Sequence, residues 1–210
     1  RIGAVAAEHG LAVVEDNAHG LFGTWRGRPL GTLGALATLS FHETKNVTCG
    51  EGGALVLNDP SLVARAEIIR EKGTNRSQFI RGEVNRYAWM DIGSSYLLSD
   101  VLAGLLAAQL EEAPTIQSAR ERTWKAYAAA LGDWANDHGV ELPFVPDGCG
   151  PAWHSFHLLL PRREHRDRLI DHLRERGIGA PFHYLPLHLA EMGRRFGGAD
   201  GDCPVTEELS

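Results

Sequence analysis

The chain has 210 residues, 43% of them hydrophobic and 23% charged, the balance of an ordinary globular protein. Acidic residues number 27 against 21 basic ones, so the formal charge of −6 gives nucleic acid or an anionic membrane no general attraction. Apolar stretches such as Val101 to Leu110 are too short to span a bilayer, and the scattered Cys49, Cys149 and Cys203 fit a reducing cytoplasm better than a disulfide scaffold.

Ile2, Val5 and Ala6 before His9-Gly10 read as the second half of a helix and its stop. Leu11 to Val14 is a short apolar run entering Glu15-Asp16-Asn17, the pattern of a buried parallel strand with polar residues at its end. Ala35 to Phe41 and Gly53 to Leu57 are two further runs of this kind. Pro60 suits the first turn of a helix reaching about Glu71, with Leu62, Ala66 and Ile69 inward. Gly73 to Gly93, rich in Gly, Asn, Arg and Ser, is expected to be a long loop, and such loops usually have a function. Ser99-Asp100 caps a helix over Val101 to Glu112, and beyond Pro114 another runs from Thr115 to Leu131.

After Asp133 the composition changes. Pro143, Pro146, Gly148, Gly150 and Pro151 form a loop cluster typical of a domain junction or a long inter-strand connection. Trp153 to Leu160 is predicted as a strand, Arg163 to Arg176 as a helix ended by Gly177, and Ala180 to Leu185 as another short strand. That order suggests a small α/β domain. The chain opens partway through a helix at Arg1 and closes at Glu207 to Ser210 as another begins, so a fragment of a longer protein is expected.

Two segments carry chemistry. In Ser40-Phe41-His42-Glu43-Thr44-Lys45-Asn46, followed by Gly50-Glu51-Gly52-Gly53, a lysine stands where an apolar strand opens into a Gly-rich turn. Most lysines are simply solvated. Here a buried strand leads in and the glycines allow close backbone approach, which favours a lysine poised over a pocket. In Glu15-Asp16-Asn17-Ala18-His19-Gly20 an acid follows a parallel strand, where open α/β sheets place ligands. Alone it is as readily a turn residue. Together, a lysine able to form a Schiff base and a carboxylate able to keep a pyridine nitrogen protonated are what pyridoxal 5′-phosphate (PLP) requires. The Gly50 to Gly53 run lacks the GK[ST] ending of a phosphate loop, and the ten histidines never fall at metal-ligand spacing with cysteines.

These segments resemble the sugar aminotransferases of the DegT/DnrJ/EryC1/StrS family over nearly the whole chain, more weakly between about Gly132 and Pro151. Glu71 to Phe79 and Asp91 to Tyr96 are similar to one branch, the dTDP-4-amino-4,6-dideoxygalactose transaminases of enterobacterial common antigen biosynthesis. The resemblance implies a type I PLP-dependent aminotransferase fold. Residues 1–113 would be the C-terminal half of a large PLP-binding domain with a mainly parallel sheet. Residues 114–210 would be a linking helix and a truncated small domain. It implies Lys45 as the Schiff-base lysine, Asp16 at the pyridine nitrogen, His19 near the ring or its 3-hydroxyl, and Ser40 on the phosphate. Ser95 would reach the phosphate of a neighbouring subunit, and His183 and Tyr184 would contact the sugar substrate, whereas His188 is as readily a packing residue. The implied reaction moves an amino group from L-glutamate to a nucleotide-linked 4-keto-6-deoxy sugar in a cytoplasmic homodimer with shared active sites. Lys45 argues against the relatives that carry histidine there and dehydrate their substrate. An inert or cofactor-poor fragment serving only assembly is the competing expectation.

Overall fold

In the computed structural model, which describes Arg1–Ser210, strands form over the second and third apolar runs, while the first contributes only Val14 to a strand that runs on through the polar Glu15 and Asp16. Helix α1 (Ile2–Glu8) stops at Gly10, whose φ of +63° suits glycine, and the chain enters β1 (Val14–Asp16). β4 (Leu36–Ser40) lies parallel to β1, with Val14 opposite Leu36 and Asp16 opposite Thr38. β5 (Gly53–Leu57) returns antiparallel to β4, so within this chain the sheet is mixed, in the order β1-β4-β5. The connection 41–52 holds no crossover helix and closes on itself, with Phe41 bonded to Gly52 and Cys49, so it turns the chain straight back. The strands are also less covered than the apolar runs predict. Val14 is 58% and Leu55 51% exposed, and only Ala37 of the three strands is buried. Apolar composition forms a strand locally, but burying it takes covering layers, and within this chain no layer covers β1 or β5.

The connection from β1 to β4 contains a hairpin that the apolar patterning does not reveal. β2 (Thr24–Trp25) and β3 (Arg28–Pro29) join through Arg26 and Gly27, at φ +50° and +75°, the two left-handed residues of a type I′ turn. On its other edge β2 pairs with β6 (Cys149–Gly150), which brings the 151–155 segment back beside the first strands.

A 3-10 turn (Pro60–Leu62), capped by the Asp59 carboxylate on the Ser61 N–H, leads into α2 (Val63–Arg70). The segment read as a structureless loop is pinned instead. It contains α3 (Arg76–Ile80), and two isolated bridges pair Glu71 with Ser95 and Thr74 with Trp89. Buried Glu71 accepts from Ser77 Oγ at 2.8 Å and Arg76 Nη1 at 3.2 Å, and buried Asn75 bonds the backbone of Arg86 and Ala88. Gly73 and Gly93 cross here at backbone contact, and a Cβ on Gly93 would stand 2.2 Å from the Gly73 nitrogen. Polar side chains, invisible to an apolar period, order this loop. α4 (Asp100–Glu111) starts under the Ser99 cap, and α5 (Ala113–His138) carries Pro114 in its first turn and continues past Leu131.

The chain divides into two compact units, one of Arg1–Lys125 with Val145–Ser155 and the other of Ala126–Phe144 with Phe156–Ser210. The second holds the end of α5, then α6 (Arg163–Arg174), a 3-10 turn (Leu187–Leu189), α7 (Glu191–Arg195) and α8 (Pro204–Glu208). Neither strand predicted there forms. Trp153 has a φ of +54°, and the Ala152 and Ser155 carbonyls are taken by side chains, leaving only a bridge between Glu141 and Leu159. Over 180–185 no ladder appears, and Pro181 has no N–H to offer one. No helix is long and apolar enough to cross a membrane.

Candidate functional site

Two adjacent carboxylates leave β1 on opposite faces, as strand alternation requires. Glu15 turns toward the loop before β4 and accepts from the N–H groups of Gly31 at 2.9 Å, Leu33 at 2.6 Å and Gly34 at 2.7 Å. Burial is the largest influence on this carboxyl and raises its pKa. The bonds from Gly34, Gly31 and Leu33, with the charge of Arg28, outweigh it and hold the group below the usual carboxylate range. A depressed folded pKa gives stability that is complete above the unfolded value and is lost as pH falls through the folded one. Glu15→Gln is therefore expected to cost about 1–3 kcal/mol at neutral pH and to flatten the acid limb of stability, read as urea midpoints between pH 7 and 3. An unchanged acid limb would remove Glu15 from this role.

Asp16, by contrast, is exposed. Its Oδ1 accepts from the Ala18 N–H at 3.2 Å and Thr38 Oγ1 at 3.4 Å, and it forms no ion pair. Asn17 is buried, hydrogen-bonded through its N–H to Thr38 and through Nδ2 to Leu30, and this anchors the turn that carries Ala18 and His19. Glu15 is thus occupied by structure, whereas Asp16 is exposed at the strand end.

Lys45 lies in the loop between β4 and β5. Phe41 closes the loop against Gly52, Cys49 and Thr48, while Val47 and Cys49 are fully buried beneath it. Gly50 sits at φ +87°, and a Cβ on Gly52 would come within 2.7 Å of Cys49 Sγ, so both glycines are needed for this close return. The Lys45 backbone N–H bonds the His42 carbonyl, whereas its half-buried side-chain amine takes part in no hydrogen bond or ion pair. Asn46 follows with its side chain buried, donating to Gln117 Oε1 at 3.1 Å and to the Ala152 carbonyl at 2.5 Å. Thr48 N bonds Gln109 on α4. The loop is held between two helices and the 152–155 segment.

Ala18, His19, Leu21, Ser40, Lys45, Asn46, Val47 and His154 line one shallow depression with room for about one water molecule. It is a floor on which a ligand can rest, not an enclosing pocket. Three of the predicted groups, Lys45, His19 and Ser40, therefore meet, and Asp16 stands two residues from Ala18 without lining the floor itself. Ser95 is exposed and paired with Glu71. His183 and Tyr184 are exposed in the second unit, their rings 4.5 Å apart. His188 is half-buried, with its Nε2 2.8 Å from Glu207 Oε1. A larger groove of about 600 Å³ in the second unit, between α6 and residues 178–182, holds none of the predicted site residues. No three His, Cys, Asp or Glu side chains are grouped to hold a metal ion.

Sequence reasoning missed His154 and Gln117. His154 stacks on His19 with ring centroids 4.4 Å apart, and its Nδ1 lies 2.8 Å from Asn46 Oδ1. No local signal could have found it, because it reaches Asn46 across 108 positions of chain.

Comparison with known proteins gives the family and the fold. The model of the DegT/DnrJ/EryC1/StrS aminotransferase family matches residues 1–210. An uncharacterised protein of Methanocaldococcus jannaschii is 30% identical over 97% of this chain and 54% of its own length. DesV from S. venezuelae, solved in complex with a ketimine intermediate, is 30% identical with a TM-score of 0.85, over 99% of this chain and 53% of its own. A DegT DnrJ EryC1 StrS aminotransferase from Brucella abortus is 30% identical with a TM-score of 0.82, over 99% of this chain and 52% of its own. The fold is that of these type I aminotransferases, and the chain spans about half the length of the relatives it matches.

Proposed function

The chain belongs to the DegT/DnrJ/EryC1/StrS aminotransferase family, and from that premise we propose that its protein transfers an amino group from L-glutamate to the C4 ketone of a nucleotide-linked 4-keto-6-deoxy sugar. The product would be a dTDP-4-amino-4,6-dideoxyhexose, of use in building surface polysaccharides such as enterobacterial common antigen or lipopolysaccharide. The observation that carries this reading is the shared floor on which an unpaired Lys45 amine meets Ser40 and His19 at the ends of neighbouring parallel strands.

The family's cofactor is PLP. The donor set suits it: a free amine, a hydroxyl for a phosphate, an imidazole, and a solvent-facing carboxylate at the next strand end. When bound, PLP supplies the carbonyl carbon that carries the amino group and a ring that withdraws electrons from the reacting carbon. Lys45 Nζ would hold the cofactor covalently, and its free amine would carry a proton to or from the reacting carbon. The Asp16 carboxylate holds a proton at the ring nitrogen, and the Ser40 hydroxyl donates to the phosphate. Ser95 is proposed to serve the phosphate of a partner subunit in a cytoplasmic homodimer, and His183 and Tyr184 to orient the sugar nucleotide. Two half-reactions with ping-pong kinetics follow.

The shallowness of the floor favours one second reading, a cofactor-poor module acting only in assembly. Both readings meet one experiment. The purified protein is mixed with PLP, reduced with borohydride and mapped. It is then supplied with L-glutamate and dTDP-4-keto-6-deoxyglucose, and the C4 configuration of any product is identified. Label on Lys45 and a 4-amino sugar are expected. An unlabelled Lys45 with no product would leave the assembly module.

A further inference from the structure

The orientation of one side-chain network is determined by a backbone carbonyl. The Ala152 oxygen can only accept, so the atoms of Asn46 and Gln117 that face it, at 2.5 and 3.1 Å, are their amide nitrogens. The second hydrogen of Asn46 Nδ2 goes to Gln117 Oε1. Asn46 Oδ1 therefore faces His154, and an amide oxygen can only accept, so His154 Nδ1 carries the proton. Asn46 is buried and its amide is committed on both sides, so neither group can turn over without leaving a buried polar atom unpaired.

The same His154 ring lies 4.4 Å from the His19 ring with 28° between their planes, and both line the floor that holds Lys45. Three fixed points hold that ring in place: the amide of Asn46, the helix residue Gln117 behind it, and the β2–β6 pairing that returns the 151–155 segment. His19 lies in the turn after β1. We infer that His154 is a positioning residue for His19: held by Ala152 through Asn46, it fixes the plane in which the His19 imidazole meets the cofactor ring. Because Asn46 is covalently next to Lys45, one network places both the amine and the imidazole. A shift in one is transmitted to the other. The inference rests on the reading of this floor as the cofactor site.

The test separates the two. Before any PLP is added, nitrogen-15 imidazole spectra of the purified protein are expected to show His154 as the Nδ1–H tautomer, with His19 ring protons shifted upfield by stacking. In His154→Gln, which keeps a donor but removes the ring, that upfield shift should vanish. With PLP and substrates, the same variant should retain label on Lys45 and lose kcat by about tenfold to a hundredfold with KM within about twofold, the pattern of lost positioning. His154→Phe, which keeps a ring but offers Asn46 Oδ1 no donor, should keep part of the His19 shift and lose less of kcat than His154→Gln, while staying below the unmutated protein. A His154 ring protonated on Nε2 alone, or His19 resonances unmoved in His154→Gln, would overturn the inference. Should the Gln variant fail to fold, the tautomer in the unmutated protein still decides. Failure of PLP to label Lys45 would sink the cofactor reading while leaving the tautomer and stacking results intact.

Discussion

Lys45→Ala is expected to abolish borohydride-stable attachment of PLP together with its visible absorbance, and to lower transamination by at least roughly 10²–10⁴-fold from lost proton transfer alone. The expectation follows from what surrounds the amine. It is half-buried in a loop closed by Phe41 and Gly52, and no carboxylate neutralises it or holds it aside. Because alanine removes the amine without disturbing Val47, Cys49 or Asn46, the loop should keep its form, and the fold can be checked by an unchanged urea midpoint. Retained turnover in the variant would place the chemistry on another residue.

Asp16→Asn should keep PLP attached to Lys45 and lower kcat by about 10²–10³-fold, the size of effect seen when one preorganised electrostatic partner of a transition state is removed. An amide can still accept from Ala18 N and Thr38 Oγ1, so the turn after β1 stays in place, but a neutral group no longer stabilises a protonated ring nitrogen. The control is Glu15→Gln, one residue away. Its carboxylate is spent on Gly31, Leu33 and Gly34, so that substitution should alter acid stability and leave kcat nearly unchanged. Equal kinetic losses at the two positions would mean that strand alternation does not separate their roles.

Much of the first unit was legible locally. Phe41, Lys45 and Gly50 to Gly53 lie close together in sequence, and their loop closes through contacts among themselves. The apolar period gave β4 and β5 and the capped start of α4 for the same reason, since strand and cap signals act over a few residues. Where long-range pairing decides, the reading failed. The strand expected over Trp153 to Leu160 has the right composition, yet the Ala152 carbonyl just before it is claimed by Asn46 and Gln117 and the Ser155 carbonyl within it by Trp124, partners that lie far away in sequence. The β2–β3 hairpin was missed although Arg26-Gly27 is the kind of dipeptide a tight turn uses.

The sequence by itself determined which residues have reactive chemistry: an amine after a strand, an acid after another, and the glycines that let the chain close around the first. Backbone propensity and side-chain type are properties of neighbouring residues, and a local pattern carries them in full. Only the tertiary structure decided that Glu15 is tied to three backbone N–H groups while Asp16 is exposed, that the segment after β5 is ordered by Glu71 and Asn75, and that His154 leans on His19. Those outcomes depend on which distant donor reaches which acceptor first, and that is fixed when the strands pair and the helices close over them.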